Sequence, residues 1–534
     1  MSDGWDTEYN IPMRTLSSLA RFLLVLLSST LFALSFPSFL EKTLHPPTAF
    51  LAWGALVPFF IALEGVSLRK AAGLGFLWGF LSCGAVQYWV LFLAEAQYLA
   101  APAWAALNLV LALHYLLWAV VYVALRRRFP RSSPLLAPVL WTAVEYLRTV
   151  PPVVGYPSAL VGTTQAGYPA LLSIASFAGV WGLTFLIVWV NAALFDFLLQ
   201  GGRPRLISRR GQAALATPIA VTLLALFLGV MSTGTGALRE AGIVALVQPS
   251  INQSAKWDRS QEKATYDLLE KLTREAGAAR PSLILWPETA APAYLSMNWV
   301  AMERVRHIVR VGAAPLLAGC LDSAKEKVGK VSLYNAAVHF SSEGIDEKPY
   351  RKRHLVPFGE YVPAQSFFFF LGPIVSELGS FDAGERYRSF QARGFTYSPL
   401  ICFETEYPHE TRRAAKDADA IVNISNDAWY GATAAAYQHA LIAVMRAAEN
   451  GKPLLRCANT GISLVTDPFG RIIASTPMFK ETMLTAPVLI GNGVPTFYAR
   501  FGDWLAVLCS ALSILAIAVA LIVRLPQKEF TKQA

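Results

Sequence analysis

The chain has 534 residues, 54% hydrophobic and only 15% charged, with a mean hydropathy of +0.41, which is too apolar for a purely water-soluble protein of this length. The net charge of +10 does not point to nucleic acid, because the basic residues sit in short clusters between apolar runs and not on an amphipathic surface interleaved with aromatics. Cys83, Cys320, Cys402, Cys457 and Cys509 form no CxxC pair and no metal-ligand spacing with the seven histidines, so neither a disulfide framework nor a metal site nor a cofactor is expected.

In chain order, apolar runs long enough to approach or cross a hydrocarbon core occupy residues 19–36, 48–63, 71–93, 101–125, 134–147, 170–199, 213–231 and 504–523. They predict a polytopic α-helical membrane domain of about eight spans. The first run has no small-residue cleavage site and leads into further spans, so it reads as a retained helix. Arg69 and Lys70, then Arg126, Arg127, Arg128 and Arg131, then Arg203, Arg205, Arg209 and Arg210 occupy every second connection, which marks the cytoplasmic side. The long segment after the seventh run is then extracytoplasmic, and the tail with Arg524 and Lys528 returns inside. The division expected is 1–231 for the first seven helices, 232–500 for a separate domain, and 501–534 for the last helix and tail. Glu145, Asp196 and His114 lie within apolar runs, where ionisable groups are costly. That cost makes them functional-site candidates, but no proton-relay pattern repeats them and a structural role is expected for each, with Glu145 and Arg148 paired one helical turn apart.

Between residues 232 and 500 the composition becomes that of a soluble α/β domain. Residues 241–248 and 282–286 read as buried strands, with an amphipathic helix over 261–275 between them. Further strands are expected at 315–321, 333–340, 395–403, 418–424 and 453–465, with a helix over 434–449, giving a layered α/β sandwich. Three strand ends carry unusual residues. Glu288 follows a strand in LWPET, Lys352 and Glu360 lie in the charged and aromatic loop YRKRHLVPFGEY, and Cys402 ends the apolar run before FETEY. A thiol where a strand gives way to a helix is expected to have an exposed sulfur, with a helix N-terminus nearby favouring the thiolate. A carboxylate, an ammonium and a thiol are the types needed for acyl transfer: base, oxyanion stabiliser and nucleophile.

These three segments resemble the Glu, Lys and Cys motifs of the nitrilase, or carbon-nitrogen hydrolase, superfamily. With the predicted spans around them, the whole chain resembles the apolipoprotein N-acyltransferase family. The similarity is most specific in QPSINQSAKWD (248–258), LWPET, YRKRHLVPFGEYVP, ICFETEYP, SNDAWYG (425–431), YQHALIAVMRAAENGKPLLRCANTG (437–461) and DPFG (467–470), with echoes in LWTAVEYLR (140–148) and GYPSALVGTTQ (155–165). The resemblance implies an extracytoplasmic nitrilase-like αββα sandwich on a multi-pass protein of the bacterial cytoplasmic (inner) membrane. It implies Glu288 as general base, Lys352 as electrostatic stabiliser and Cys402 as nucleophile, with the Phe403 backbone N–H as a second oxyanion donor. The activity implied moves a fatty acyl chain from a phospholipid donor, through a Cys402 thioester, to the amine of a diacylglyceryl-cysteine on a lipoprotein acceptor. Phe403 stands where the family usually has Tyr, leaving ring packing without the hydroxyl. The segment after Tyr430 lacks a Gly-Pro often found before the Gln-His, a loop variation expected to leave the chemistry intact.

Secondary candidates follow from the same comparison. Glu360 is expected to orient Lys352, or else to be a surface charge. Glu404 lines the site or caps the following helix. Trp257 contacts lipid or packs in the core. The run Phe367, Phe368, Phe369, Phe370 is too apolar for solvent, and the loop around it either touches the membrane surface and gates lipid or packs on the spans. His354 and His439 are not needed beside the Glu and Lys motifs, Cys320 and Cys457 read as core, and Asn423 and Asn426 as satisfying backbone groups at a strand end. The protein is expected to act as a monomer, without nucleic acid. The alternatives are a membrane-tethered nitrilase-type amidase, in which water finishes the reaction, and a transporter or sensor with an inactive outer domain. An intact Glu, Lys and Cys set argues against the latter.

Overall fold

The computed structural model describes residues 16–93, 99–129, 133–150, 155–200, 209–235, 238–256, 258–325, 331–345, 347–361 and 381–522. Trp257 and the Phe367, Phe368, Phe369, Phe370 run lie outside them.

The N-terminal part is a bundle of α1 (Ser18–Leu34), α2 (Leu68–Val86), α3 (Ala100–Arg128), α4 (Ser133–Leu147), α5 (Pro169–Ala178), α6 (Val180–Gln200) and α7 (Arg209–Thr235). Its core is aromatic: the Trp78 ring stacks on Phe59 at 5.0 Å and meets Tyr115 and Trp141 edge-on at 4.9 and 5.3 Å. The outward faces are also apolar, with Leu223, Leu224 and Phe227 of α7 and Ile514, Leu515 and Leu521 of the last helix exposed, as a lipid-facing surface requires. Among the described residues three helices are long and apolar enough to cross a membrane, Ala100–Arg128, Val180–Leu198 and Trp504–Ile522, and five shorter apolar helices accompany them.

Three of the predicted runs are not single helices: residues 71–93 hold α2 as far as Val86 and then a 3₁₀ turn (Tyr88–Phe92). Residues 48–63 break into a 3₁₀ turn (Pro47–Leu51) and two short helices (Ala52–Ala55 and Val57–Leu63). Buried Asn191 repairs the break, accepting from the Leu56 N–H at 2.9 Å and donating to the Ala52 carbonyl at 2.9 Å. Residues 170–199 split at Gly179, whose φ of 66° and ψ of −168° are open essentially only to glycine. A Cβ there would lie 2.6 Å from the Tyr498 ring. The structural roles expected for the intramembrane ions are met: Arg126 lies 3.1 Å from Asp196 and 3.3 Å from Glu64. Glu145 lies 4.0 Å from Arg148 and accepts from Trp141, Thr184 and the Val161 N–H. The His114 ring bonds the Val110 carbonyl one turn back.

The C-terminal part holds two six-stranded sheets. The first contains β1 (Arg239–Gln248), β2 (Leu283–Leu285), β3 (Leu316–Lys325), β4 (Val331–Phe340), β5 (Tyr350–Arg351) and β12 (Thr482–Ile490), in the order β12-β1-β2-β3-β4-β5. The second contains β6 (Phe390–Gln391), β7 (Thr396–Ile401), β8 (Ala420–Ser425), β9 (Leu454–Ala458), β10 (Leu464–Thr466) and β11 (Ile472–Ser475), in the order β11-β10-β9-β8-β7-β6. In each sheet three central strands run parallel, β1-β2-β3 and β7-β8-β9, with antiparallel strands at the edges. The stretch 453–465, expected as one strand, is the hairpin of β9 and β10. The parallel strands β7, β8 and β9 are buried almost throughout, which is why they read as continuous apolar runs and not as alternation.

One apolar cluster draws Val244, Leu285 and Leu317 from the first sheet together with Tyr397, Val422 and Leu455 from the second. On the first sheet's other face lie α8 (Glu262–Gly277) and α9 (Trp299–Gly312). The α8 helix buries Tyr266, Leu269, Leu272, Thr273 and Ala276, a three-and-four spacing that makes one apolar stripe. The Asn298 side chain caps α9 by accepting from the Ala301 N–H at 3.0 Å. The second sheet carries α10 (Pro408–Ala414) and α11 (Ala435–Asn450). The far side of α11 packs on the bundle: Leu441, Val444 and Ala448 share a cluster with Leu171, Leu172 and Ala175 of α5. The Glu449 carboxylate of α11 accepts from the Val180 N–H at 2.8 Å, capping the first turn of α6 just past the Gly179 break.

Candidate active site

The carboxyl ends of the parallel strands from both sheets meet, as ligand sites in α/β proteins do. Past β2 the chain turns through Thr289 at a φ of 47°, and past β7 through Cys402 at a φ of 52°. Such conformations cost of order 1–3 kcal/mol in a non-glycine residue and cluster at functional sites. The turn at Cys402 is held from behind. Its carbonyl accepts from Thr405 at 3.1 Å and from Asn423 at 3.3 Å, and lies 3.2 Å from His439 Nε2.

Lys352 Nζ stands 3.5 Å from Glu288 Oε1 and 2.9 Å from Glu360 Oε2. Asn335 Nδ2 donates to both carboxylates, at 2.7 Å to Glu288 and 2.8 Å to Glu360. The second oxygen of Glu288 accepts from the Asn426 N–H at 2.8 Å. Burial alone would depress the Lys352 ammonium, but Glu360 and then Glu288 and Cys402 outweigh it and hold it above the usual lysine range. The same charges act on Cys402: burial pushes its thiol up, Glu288 adds to this, and Lys352 opposes it.

The sequence trio and Glu360 are therefore brought together, and Glu360 bonds Lys352 directly. The expectation for the sulfur's surroundings is corrected. Cys402 is buried, 6% exposed, and desolvation outweighs any help from the short 3₁₀ turn (Cys402–Glu406) that follows it. The Phe403 ring packs between Tyr156, at 6.1 Å, and Tyr407, at 5.3 Å. His439 addresses the backbone of Cys402 and pairs at 3.1 Å with Asp427, which also meets Arg456 at 2.8 Å. Asn423 satisfies the Leu400 and Cys402 carbonyls.

Glu404 caps the 3₁₀ turn that follows Cys402, one of the two readings expected for it, by accepting from the N-cap Ile401 N–H, and it does more besides. Its carboxylate accepts from the Tyr350 hydroxyl at 2.9 Å, the Arg353 N–H at 2.7 Å, the His354 N–H at 3.2 Å and the Ile401 N–H at 2.7 Å. It binds the residues just after Lys352 to the residue just before Cys402, and burial pushes it up to about 7. Sequence reasoning passed over Lys256 and Asn335. The signal for Asn335 was present as an amide inside the otherwise apolar strand LYNAAVHF. Lys256 Nζ donates to the Glu288 carbonyl at 2.8 Å. Asn426, expected only to satisfy backbone, also donates to Gln253 at 2.8 Å and so ties the 250–256 turn to the site.

Residues 28–193 match the family model of the apolipoprotein N-acyltransferase N-terminal domain, and residues 243–492 that of the carbon-nitrogen hydrolases. The chain is 36% identical over 513 residues to the apolipoprotein N-acyltransferase of Geobacter metallireducens, covering 93% of this chain and 95% of that one. It is 35% identical over 391 residues to the Brucella melitensis apolipoprotein N-acyltransferase, 71% of each chain. It is 29% identical over 543 residues to apolipoprotein N-acyltransferase 1 of Treponema denticola, 94% and 96% of the two chains. A solved amidase of the nitrilase superfamily from Nesterenkonia aligns with 50% of this chain and 96% of its own, at 19% identity and a TM-score of 0.38. From membrane helices to thiol, the chain belongs to the apolipoprotein N-acyltransferase family.

Proposed function

We propose that this membrane-bound acyltransferase N-acylates lipoproteins in two half-reactions at Cys402, with a membrane phospholipid as acyl donor. The observation that carries the reading is the buried set Glu288, Lys352 and Cys402 at converging strand ends, above the helix that packs on the bundle. Because the resting nucleophile is a thiol, its proton passes to Glu288 as sulfur attacks the ester carbonyl. Charge developing on the carbonyl oxygen is met by the Lys352 ammonium and the Phe403 N–H, one such donor being worth about 3 kcal/mol. The ester C–O bond then breaks, Glu288 returns the proton to the departing oxygen, and a lysophospholipid leaves behind a thioester. In the second half the α-amine of a diacylglyceryl-cysteine attacks the thioester, its proton is taken up, an amide forms and the thiol is restored. The thioester survives because Cys402 is screened from water.

The finer architecture proposed is about eight spans over 1–231 and 501–534, with an αββα sandwich over 232–500 that faces the outside of the bacterial cytoplasmic membrane. Support for the sidedness comes from the two ends of α2. Its start adjoins Arg127, which bonds the Val66 carbonyl. At its end the Val86 carbonyl accepts from Gln438 of α11 at 3.1 Å. The basic cluster and the catalytic domain thus sit at opposite ends of the bundle. A monomer suffices, since one chain supplies all three residues. The amidase alternative is not favoured, because the similarity to acyltransferases extends through the membrane part.

The test is intact-mass spectrometry after incubation with phospholipid vesicles. A gain of one acyl chain is expected, absent in Cys402→Ala and discharged by a diacylated lipopeptide with formation of its N-acyl product. Wild-type protein that never becomes loaded would overturn the thioester reading.

A further inference from the structure

Lys256 closes the short helix Gln253–Lys256, is only 4% exposed, and is aimed at the main chain of the general-base candidate, 2.8 Å from the Glu288 carbonyl. The segment that carries it is firmly held. Ile251 exchanges hydrogen bonds with the Asn459 side chain at 3.0 and 2.7 Å, and Gln253 accepts from Asn426 at 2.8 Å. That same Asn426 holds Glu288 through its N–H, so the lysine and the carboxylate share one support.

A buried ammonium is costly unless its charge is used. Around the thiol the carboxylates of Glu288 and Glu360 face one ammonium, Lys352. Of the other nearby acids, Asp427 is paired with Arg456 and His439 and bonded by Ser425, while Glu404 accepts only from neutral donors, Tyr350 and three backbone N–H groups, so its carboxylate adds to the negative side and also faces Lys352. Tyr430 also faces the thiol as a neutral phenol, its hydroxyl held well above its usual range by burial. Glu288 and Glu360 against Lys352 alone leave the buried group at least one negative charge in excess. Lys256 spends its hydrogen bond on a carbonyl, not on a carboxylate, so its full charge remains to act on the group.

We infer that Lys256 is a positioning residue of the acyl-transfer site, a second cation that fixes the Glu288 main chain and offsets the carboxylate by which Glu288 and Glu360 exceed Lys352 before the thiol proton moves. This deepens the thioester reading and rests on it. Desolvation depresses the Lys256 ammonium to about 8, with Glu288 and Cys402 pulling it back up, so the group both feels and is felt by the reacting pair. At separations of several ångströms inside a protein, removing one such charge displaces a titration by about one pH unit or more.

The experiment measures the rate of acyl loading on Cys402 from phosphatidylethanolamine vesicles between pH 5.5 and 9, by intact mass, in full-length protein. Lys256→Met and Lys256→Gln are each expected to move the pH of half-maximal loading upward by about one unit. Lys256→Arg, which keeps the charge at every pH used where the lysine gives it up near 8, is expected to leave the midpoint in place or move it slightly downward. The glutamine variant retains an amide N–H toward the carbonyl and guards against a folding defect in the methionine variant. A loading rate lowered by one factor at all pH values, with no displacement of the midpoint, assigns Lys256 a purely structural role and overturns the inference. So do neutral variants that load like the wild type. Wild-type protein that fails to load at any pH sinks the thioester reading itself, a different result.

Discussion

Glu404 shows how one buried side chain can tie together the segments that carry Lys352 and Cys402. Both of its oxygens are used by donors from two separate segments, and a glutamine there would turn an NH2 group toward one of those buried N–H groups. Leaving a buried donor without an acceptor costs about 1–3 kcal/mol. Glu404→Gln is therefore expected to lower the melting temperature measurably and to slow acyl loading by at least about tenfold, because Lys352 and Cys402 lose their common tether. Unchanged melting together with an unchanged loading rate would remove this role.

At the scale of elements, the loop that presents Lys352 is fastened to α10 by Glu410. That carboxylate meets Arg353 at 3.1 Å, the His409 ring at 3.5 Å and the Tyr387 hydroxyl. Burial would raise it, but His409, Tyr387 and Arg353 together outweigh burial and hold it down to about 2. A carboxylate depressed in the folded state stabilises fully above its unfolded value, near 4.3. That contribution is lost as pH falls toward about 2, because the unfolded chain takes up the proton first. The wild-type chain should accordingly melt higher than Glu410→Gln at pH 6, and the gap should narrow by pH 3. Thermal melts of the two proteins at both pH values decide it; a gap that widens in acid would contradict the assignment.

For the whole molecule, the catalytic part and the bundle share a core. Leu441, Val444 and Ala448 on α11 are covered by Leu171, Leu172 and Ala175 on α5, and burying a leucine side chain contributes roughly 1.5–3 kcal/mol. The bundle is thus a structural layer of the catalytic domain and not only an anchor. Residues 239–490 expressed alone should expose this face and aggregate in water, while the full chain stays monodisperse in detergent. Sedimentation after detergent removal provides the check, and a soluble, monodisperse fragment would count against a shared core.

Much of this was legible in one dimension. The apolar runs, the three-and-four spacing of α8, and a carboxylate, an ammonium and a thiol each ending an apolar stretch are written in near neighbours along the chain, where the periods of helix and strand act. The breaks and tethers were not. Asn191 repairs a helix 135 positions away, Asn335 reaches Glu288 across 47 positions, and Glu404 joins Arg353 across 51. Lys256 meets Glu288 because the turn after β1 and the turn after β2 lie side by side at the ends of two neighbouring parallel strands. Residue types and local periodicity determined which groups this chain owns and which elements carry them. Which groups meet, and that Cys402 is buried with its thiol pushed up by desolvation and not exposed at a helix N-terminus, was decided by strand order and burial, which exist only once distant segments have packed.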